Sequence, residues 1–133
     1  MAKAIIHTDG GARGNPGPAG IGAVIDFGGQ QYLLKKYIGE ATNNQAEYQA
    51  VILALEKAKE LGATELDIYL DSELVKQQLS GAYKVKNEGL GVLFVQVWNL
   101  AQGFGKVKYF HIYREDNKLA DKLVNQAIDE AGY

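Results

Sequence analysis

Runs of apolar residues divide the first third of the chain into three predicted strands. Lys3–Asp9 predicts a buried strand with Ile5 and Ile6 on opposite faces, and Ile21–Phe27 predicts a second, apolar strand. Gln31–Ile38 predicts a third strand, joined to the second by a hairpin turn at Gly28-Gly29. The segment Gly10–Gly20 is rich in glycine and holds both prolines, so we expect no regular structure there.

Helical and strand patterns alternate in the rest of the chain. A long helix is predicted between Thr42 and Gly62, because Thr42 and Gln45 form a T-x-x-Q capping box and apolar residues recur at helical spacing. The remaining predicted elements are a strand over Glu65–Asp71, a short helix over Ser72–Leu79 closed by Gly81, a helix over Gly91–Gln102, a strand over Lys106–Tyr113 and a helix over Asn117–Ala131. This order predicts an α/β chain with a mixed sheet whose faces are covered by helices.

Length and composition indicate one globular domain, which we expect to span residues 1–133. Hydrophobic residues make up 47% of the chain and charged residues 23%, which suffices for a hydrophobic core. No apolar run reaches the roughly 18–20 residues that cross a bilayer, and the first residues are too few for a signal peptide. The absence of cysteine excludes disulfides, thiolate zinc sites and a cysteine nucleophile. We therefore expect a cytoplasmic protein with no membrane partner.

Four acidic residues occupy unusual positions for solvated carboxylates. Asp9 and Asp71 each end an apolar strand, while Glu47 and Asp121 lie on the apolar stripes of their helices. Local roles stay open for two of them, because Asp71 could cap a helix and Asp9 could form an Asx-turn. Glu47 has no such role, and neither of the two arginines lies at helical spacing from it. A buried Glu47 therefore calls for a cation, and a metal ion is the simplest one.

These four acids predict a metal site if the fold brings them together. They offer only oxygen ligands, which suit Mg²⁺ or Mn²⁺ rather than Zn²⁺. Four negative charges exceed what one divalent ion neutralises, so we expect two ions per site. Two ions about 3.5–4 Å apart suit a displacement at phosphorus, because they stabilise both the attacking and the leaving oxygen.

The charge balance limits the strength of binding to nucleic acid. Fourteen Lys and Arg residues against sixteen Asp and Glu residues give a formal net charge of −2, which disfavours a strongly basic nucleic-acid binder. Without the four acids described above, however, the rest of the chain is mildly basic. We therefore expect electrostatic binding that is weak and salt-sensitive rather than absent.

Five motifs follow one another in the chain from Thr8 to Asp121. They are T-D-G-G-A-R-G-N-P-G from Thr8, T-N-N-Q-A-E from Thr42, L-D-S from Leu70, Y-K-V-K-N from Tyr83 and R-E-D-N-K-L-A-D from Arg114. Each motif alone is weak. Together and in this order they closely resemble the motifs of type 1 ribonucleases H, of the kind found in bacteria and archaea.

The resemblance implies the ribonuclease H fold, a five-stranded mixed sheet made of an antiparallel meander and two parallel strands and flanked by helices. It implies an endoribonuclease that hydrolyses the RNA strand of RNA–DNA hybrids with two Mg²⁺ or Mn²⁺ ions and leaves 5′-phosphate and 3′-hydroxyl ends. The catalytic and metal-binding carboxylates carried over are Asp9, Glu47, Asp71 and Asp121, the same four that their positions had selected. Double-stranded RNA stays open as a second substrate, and we expect a monomer.

A further set of residues is expected to contact the substrate. Glycines let the backbone approach a groove closely, and amides and amines suit sugar hydroxyls and phosphates. The set comprises Gly10, Gly11, Arg13, Asn15, Thr42, Asn43, Asn44, Lys84, Lys86 and Asn87. Thr42 is equally well explained as a helix cap, and both roles can hold.

The chain departs from the family in two respects. Many members carry a histidine on a mobile loop before the last aspartate, whereas the two histidines here, His7 and His111, lie in predicted strands. Arg114 is therefore expected to stabilise charge on the scissile phosphate, although a guanidinium cannot act as a general base. The basic protrusion of some members is missing, since only Ser80–Gly89 occupies that stretch. Hybrid affinity is then expected to be weaker, or to depend on another domain or on a high enzyme concentration.

Four alternative functions fit the sequence less well. A module that binds hybrid or double-stranded RNA without catalysis would lack a carboxylate, and none is missing. A resolvase or integrase core would keep the acids but not the Asn43-Asn44 and Gly10-Gly11 signatures. A Walker-type enzyme needs G-K-[ST] after its glycines, and an aspartic protease needs D-[ST]-G where this chain has Thr8-Asp9-Gly10.

Overall fold

The computed structural model describes residues 2–133, which contain five strands, four helices and one 3₁₀ turn. The strands are β1 (Lys3–Ala12), β2 (Gly17–Phe27), β3 (Gln30–Ala41), β4 (Glu65–Leu70) and β5 (Lys106–His111). The helices are α1 (Asn43–Leu61), α2 (Glu73–Leu79), α3 (Glu88–Ala101) and α4 (Lys118–Glu130), and the 3₁₀ turn Arg114–Asp116 precedes α4.

The five strands form one mixed sheet in the order β3-β2-β1-β4-β5. Strand β2 pairs antiparallel with β1 and β3, whereas β4 pairs parallel with β1 and β5. The predicted antiparallel meander with two parallel strands is thus confirmed, with β1 in the centre and β3 and β5 at the edges. The register pairs Thr8 with Leu70, so that Asp9 and Asp71 are the next residues along two neighbouring strands.

Helices cover the two faces of the sheet unequally. Three helices lie on one face, where they form the main core with the strands through residues that include Ile6, Tyr48, Val51, Ile68, Val75 and Val97. Helix α4 packs on the opposite face, where Ala120 and Leu123 contact Val24 of β2. Each large apolar side chain buried in this way contributes roughly 1.5–3 kcal/mol. The result is that α1 and α4 approach the central strands from opposite sides.

The predicted ends of the long helix are confirmed. The Thr42 hydroxyl accepts a hydrogen bond from the N–H of Gln45, and the Gln45 side chain accepts one from the N–H of Thr42. Gly62 ends α1 in the left-handed region with a φ of 86°, which costs a glycine little. The position of Glu47, one turn into α1, is therefore determined locally.

The prediction that Gly10–Gly20 lacks regular structure is wrong. Strand β1 continues to Ala12 and β2 begins at Gly17, so only a short hairpin connection is irregular. A Cβ at Gly10 would overlap the backbone of Ala46 in α1, and Cβ atoms at Gly20 and Gly22 would lie 2.8 Å from backbone oxygens of α4. These glycines belong to strands, since only glycine lets a helix pass so close to the sheet.

Other predicted boundaries shift by a few residues. Strand β4 ends at Leu70 and Ser72 caps α2, accepting from the N–H of Val75, so Asp71 is not the helix cap. Helix α3 begins at Glu88 rather than Gly91, because Asn87 caps it. Within residues 2–133, no helix is both long and apolar enough to cross a membrane.

Candidate active site

Asp9 and Glu47 meet where α1 passes closest to β1. The backbone N–H of Gly10 donates to Oε1 of Glu47 at 2.6 Å, and the missing Cβ of Gly10 makes this approach possible. Both carboxylates are buried, with 7% of Asp9 and 6% of Glu47 exposed. The burial predicted for Glu47 is confirmed, and its partner within the protein is a backbone amide.

Asp71 is held by a buried amide. Nδ2 of Asn117 donates to Oδ2 of Asp71 at 3.0 Å and to the carbonyl oxygen of Thr8 at 2.8 Å. Asn117 is only 2% exposed, and its Oδ1 has no partner among the described residues. The amide thus joins Thr8 within β1 to the residue that follows β4 and fixes one oxygen of Asp71.

The structure brings three of the four predicted acids into a tight cluster. Carboxylate oxygens of Asp9, Glu47 and Asp71 all lie within 4.8 Å of one another. Asp121, on α4, lines the same pocket and is close enough to Asp9 to affect its titration, but it lies outside that tight group. The pocket has a volume of about 350 Å³.

The cluster is electrostatically unfavourable without a cation. Burial, together with the charges of Asp71 and Asp121, raises the pKa of Asp9 to about 7. Burial and the neighbouring Asp9 also raise the pKa of Glu47 well above its ordinary value, although the N–H of Gly10 opposes that shift. The site therefore retains protons near neutral pH unless a positive charge takes their place.

The donor set fits a hard divalent cation. Asp9, Glu47 and Asp71 can each direct one carboxylate oxygen toward a common point, and neither histidine of the chain lines the pocket. Carboxylate oxygens are the ligands that Mg²⁺ and Mn²⁺ prefer. The chemistry of the residues present thus agrees with a metal site.

Five of the predicted substrate residues line the pocket beside the acids: Gly10, Gly11, Arg13, Asn43 and Asn44. Oδ1 of Asn43 accepts from the N–H of Ala12 at 2.8 Å, and Oδ1 of Asn15 accepts from the N–H of Asn43 at 3.0 Å. These bonds fasten the start of α1 to the β1–β2 hairpin.

The other five predicted substrate residues, Asn15 among them, do not line the pocket. Thr42 caps α1, and Asn87 caps α3 by accepting from the N–H of Leu90 at 3.1 Å. Lys84 and Lys86 are exposed in the segment between α2 and α3. A ligand would have to be long to reach both these lysines and the carboxylates.

Arg114 lies at the rim of the pocket, in the 3₁₀ turn that precedes α4. It is exposed, and no ion pair of the described residues involves it. His7 stacks on Tyr69 in the sheet, with 5.1 Å between ring centroids, and His111 ends β5. Both histidines lie in strands, as predicted.

Two asparagines near the acids were not predicted as site residues. Asn117 is the first residue of a predicted helix, and the ordinary role of an asparagine there is to cap it; its side chain forms no such cap. Asn125 lies on the exposed side of α4 and lines the pocket. Only the motif around Asn117 could have singled it out, and nothing in the sequence marks Asn125.

Comparisons with known proteins agree with this geometry. The profile of the family described as Reverse transcriptase-like matches residues 7–127. LC11-RNase H1, solved in complex with RNA/DNA hybrid, is 46% identical and superposes with a TM-score of 0.91, covering 96% of this chain and 98% of that chain. The chain belongs to the type 1 ribonuclease H family. Members of this family are metal-dependent, in keeping with the carboxylate cluster.

The chain spans only part of the length of two curated relatives. Bifunctional protein Rv2228c of Mycobacterium tuberculosis is 47% identical over 97% of this chain, which spans 36% of that relative. Ribonuclease HI of Halobacterium salinarum is 42% identical over 94% of this chain, which spans 64% of it. The crystal structure of RNase H1 from that archaeon superposes with a TM-score of 0.92 at 40% identity, covering 96% of this chain and 98% of that one.

Proposed function

We propose that this chain is an endoribonuclease that hydrolyses the RNA strand of RNA–DNA hybrids and leaves 5′-phosphate and 3′-hydroxyl ends. The observation that carries the proposal is the cluster of Asp9, Glu47 and Asp71, the first two of them buried, with Asp121 on the same pocket. Three carboxylates this close would not be retained for stability, because their mutual repulsion and burial oppose folding. The relative solved with RNA/DNA hybrid supports the choice of substrate.

Asp9, Glu47, Asp71 and Asp121 would hold the metal, for which we propose two Mg²⁺ or Mn²⁺ ions. When bound, such ions activate water and stabilise charge on the phosphate and on the leaving oxygen. The protein holds the ligands in place beforehand: the Gly10 N–H fixes Glu47, and Asn117 fixes Asp71. This preorganisation avoids moving the carboxylates during the reaction.

Residues at the rim would bind and orient the hybrid. Arg114, exposed and free of ion pairs within the described chain, would donate to a non-bridging oxygen of the scissile phosphate and so stabilise its developing charge. Gly11, Asn43 and Asn44 line the side of the pocket next to the start of α1, where amide groups can recognise sugar hydroxyls. Lys84 and Lys86 would contact phosphates farther along a bound duplex.

Substrate class is tested with end-labelled RNA–DNA hybrid, double-stranded RNA and duplex DNA, each incubated with Mg²⁺, Mn²⁺ or EDTA. We expect cleavage of the hybrid's RNA strand with either metal and none in EDTA. The double-stranded RNA arm decides whether that substrate is also cut. Cleavage of duplex DNA, or hybrid cleavage that survives EDTA, contradicts the proposal.

Asp71→Asn tests the site directly, since it keeps the size of the side chain but removes a metal-binding charge. We expect turnover to fall at least about 1000-fold while hybrid binding stays measurable. Glu60→Gln is the matched control, because Glu60 is exposed on α1 and far from the pocket. Near-normal turnover by Asp71→Asn would show that the site is wrongly assigned.

A further inference from the structure

Arg13 joins the β1–β2 hairpin to the far end of α4. Its Nη1 lies 2.8 Å from Oδ1 of Asp129 and donates to the carbonyl oxygen of Tyr133 at 2.6 Å. Its Nη2 donates to Oδ1 of Asn125 at 3.2 Å. Both terminal nitrogens of the guanidinium are therefore already engaged by the protein, whereas a phosphate-binding arginine offers them to the ligand.

Asn125 extends this contact to the turn of α4 that carries Asp121. Its Nδ2 donates to the backbone carbonyl of Asp121 at 3.1 Å, four residues earlier in the helix. Since Oδ1 of the same amide accepts from Arg13, the amide connects the guanidinium to the backbone of the fourth acid. We refer to Arg13, Asn125 and Asp129 together as the Arg13 clamp.

Asp121 needs such a connection more than the other three acids do. Asp9 lies within β1, Asp71 directly follows the neighbouring strand β4, and Glu47 is held by the N–H of Gly10. No N–H group of the described residues donates to the carboxylate of Asp121, so its position depends on how α4 lies on the sheet. Helix α4 contacts β2 through Gly20, Gly22 and Val24, and the two glycines contribute no side chain to that contact.

We propose that Arg13 is a positioning residue which, with Asn125 and Asp129, holds α4 so that Asp121 faces the other carboxylates. The inference rests on the proposed function, because it takes Asp121 to be a metal ligand. It assigns Arg13 a role that differs from direct contact with the substrate, which the sequence predicts for it.

Two single variants and their combination test the clamp. Arg13→Gln and Asp129→Asn each break the ion pair, and we expect each to weaken Mn²⁺ binding to the substrate-free protein by roughly 10-fold in calorimetric titration. The double variant is expected to weaken it no more than the stronger single variant, because both remove the same contact. In steady-state assays kcat falls, while KM for the hybrid changes less than about 2-fold. Glu60→Gln, which makes the same charge change as Asp129→Asn but on α1, is expected to leave all these values unchanged.

Direct phosphate contact by Arg13 gives the opposite pattern. Arg13→Gln would then raise KM without changing Mn²⁺ affinity, and the slope of log K against log salt would decrease in magnitude by about 0.9 for one lost phosphate. Asp129→Asn would be silent, and Arg13→Lys, which keeps the charge but not the fork of donors, would restore hybrid binding. This pattern overturns the clamp. Under the clamp, Arg13→Lys fails to restore Mn²⁺ affinity.

Failure of the clamp and failure of the proposed function give different results. The clamp alone is contradicted if both single variants bind Mn²⁺ with normal affinity while the unmodified chain cleaves the hybrid. If the unmodified chain cleaves no hybrid with either metal, the proposed function fails, and the Mn²⁺ titrations still decide whether Arg13 positions Asp121.

Discussion

On the side of the pocket formed by β1 and α1, two carboxylates are buried between elements whose backbones are in contact, whereas on the side formed by α4 the fourth acid is half-buried and its helix is held through side chains. Asp9 and Glu47 lie between two elements whose backbones are in contact at Gly10. Asp121 depends on a helix that is fastened by Arg13 and Asn125. The buried side therefore cannot adjust without moving a helix, while the position of Asp121 depends on contacts between exposed side chains.

Among the variants that test this difference between the two sides, Gly10→Ala is expected to have the largest effect. The new Cβ overlaps the backbone of Ala46, so α1 must move away from β1, and we expect a loss of more than about 3 kcal/mol in unfolding free energy together with loss of Mn²⁺ binding. Gly11→Ala is the matched control, because its nearest neighbours would lie 3.9 Å away; it should change stability by less than about 0.5 kcal/mol. Urea unfolding measures both, and equal effects of the two variants would contradict the close backbone contact.

Asn117→Ala is expected to have the next largest effect on stability. It leaves the Thr8 carbonyl without its buried donor and frees Asp71, so we expect a loss of about 2–3 kcal/mol in unfolding free energy and a lower kcat. Asn125→Ala removes an exposed amide instead and should cost less than about 1 kcal/mol. Denaturant unfolding under the same conditions compares the unfolding free energies of the two variants. An Asn117→Ala protein as stable as the unmodified one would show that the buried amide contributes little to the stability of the fold.

Asp9→Asn should stabilise the metal-free protein at pH 8. Because the pKa of Asp9 is raised from 3.8 to about 7, the folded state binds this proton more tightly than the unfolded state does. The bound proton contributes fully to the unfolding free energy below about pH 4, and this contribution is lost as the pH rises through about 7. Asn cannot lose this proton, so at pH 8 we expect the variant to exceed the unmodified protein by roughly 1–3 kcal/mol in unfolding free energy, since one pKa unit corresponds to about 1.4 kcal/mol.

Thermal unfolding of both proteins in EDTA from pH 4 to pH 9 checks this prediction through the difference between their Tm values. The Tm of the variant should exceed that of the unmodified protein by more as the pH rises. With Mn²⁺ in place of EDTA the order should reverse, because the ion binds only the native carboxylates with high affinity. A difference that does not vary with pH would contradict the raised pKa of Asp9.

Lys84→Ala and Lys86→Ala are expected to have the smallest effect on the fold, with changes below about 0.5 kcal/mol, since both side chains are exposed. If they contact phosphates, each variant should reduce the magnitude of the salt slope of hybrid binding by about 0.9. Binding is measured in the Asp71→Asn background to prevent cleavage, with Lys36→Ala on the edge strand β3 as control. Slopes equal to that of the control would remove the two lysines from the proposed interface.

Most of the fold could be predicted from local patterns, and the main error has a tertiary cause. The capping box of Thr42 and Gln45 and the stop at Gly62 act within a few residues, so they are visible in the sequence. The glycines at positions 10, 20 and 22 look like a loop because their reason lies in helices that approach from distant parts of the chain. A sequence pattern shows the missing side chain but not the backbone that takes its place.

In the candidate site too, some residues could be predicted from the sequence and others could not. The sequence selects four acids, because a carboxylate on an apolar strand or helix stripe costs folding free energy, and the structure places all four on one pocket: Asp9, Glu47, Asp71 and Asp121. Asn117 could not be assigned, because its two acceptors, Thr8 and Asp71, are remote in sequence. The proposed roles of the four acids, of Arg114 and of the substrate residues stay predictions until the variants are measured.

The strand order has a consequence for how the molecule meets other copies of itself. Each of the two edge strands carries two exposed lysines, Lys35 and Lys36 on β3 and Lys106 and Lys108 on β5. Open strand edges invite pairing with other chains, and lysines on an edge discourage it. A sizeable part of the positive charge of this chain therefore protects against aggregation, and in a chain of net charge −2 it leaves fewer cations to face a nucleic acid.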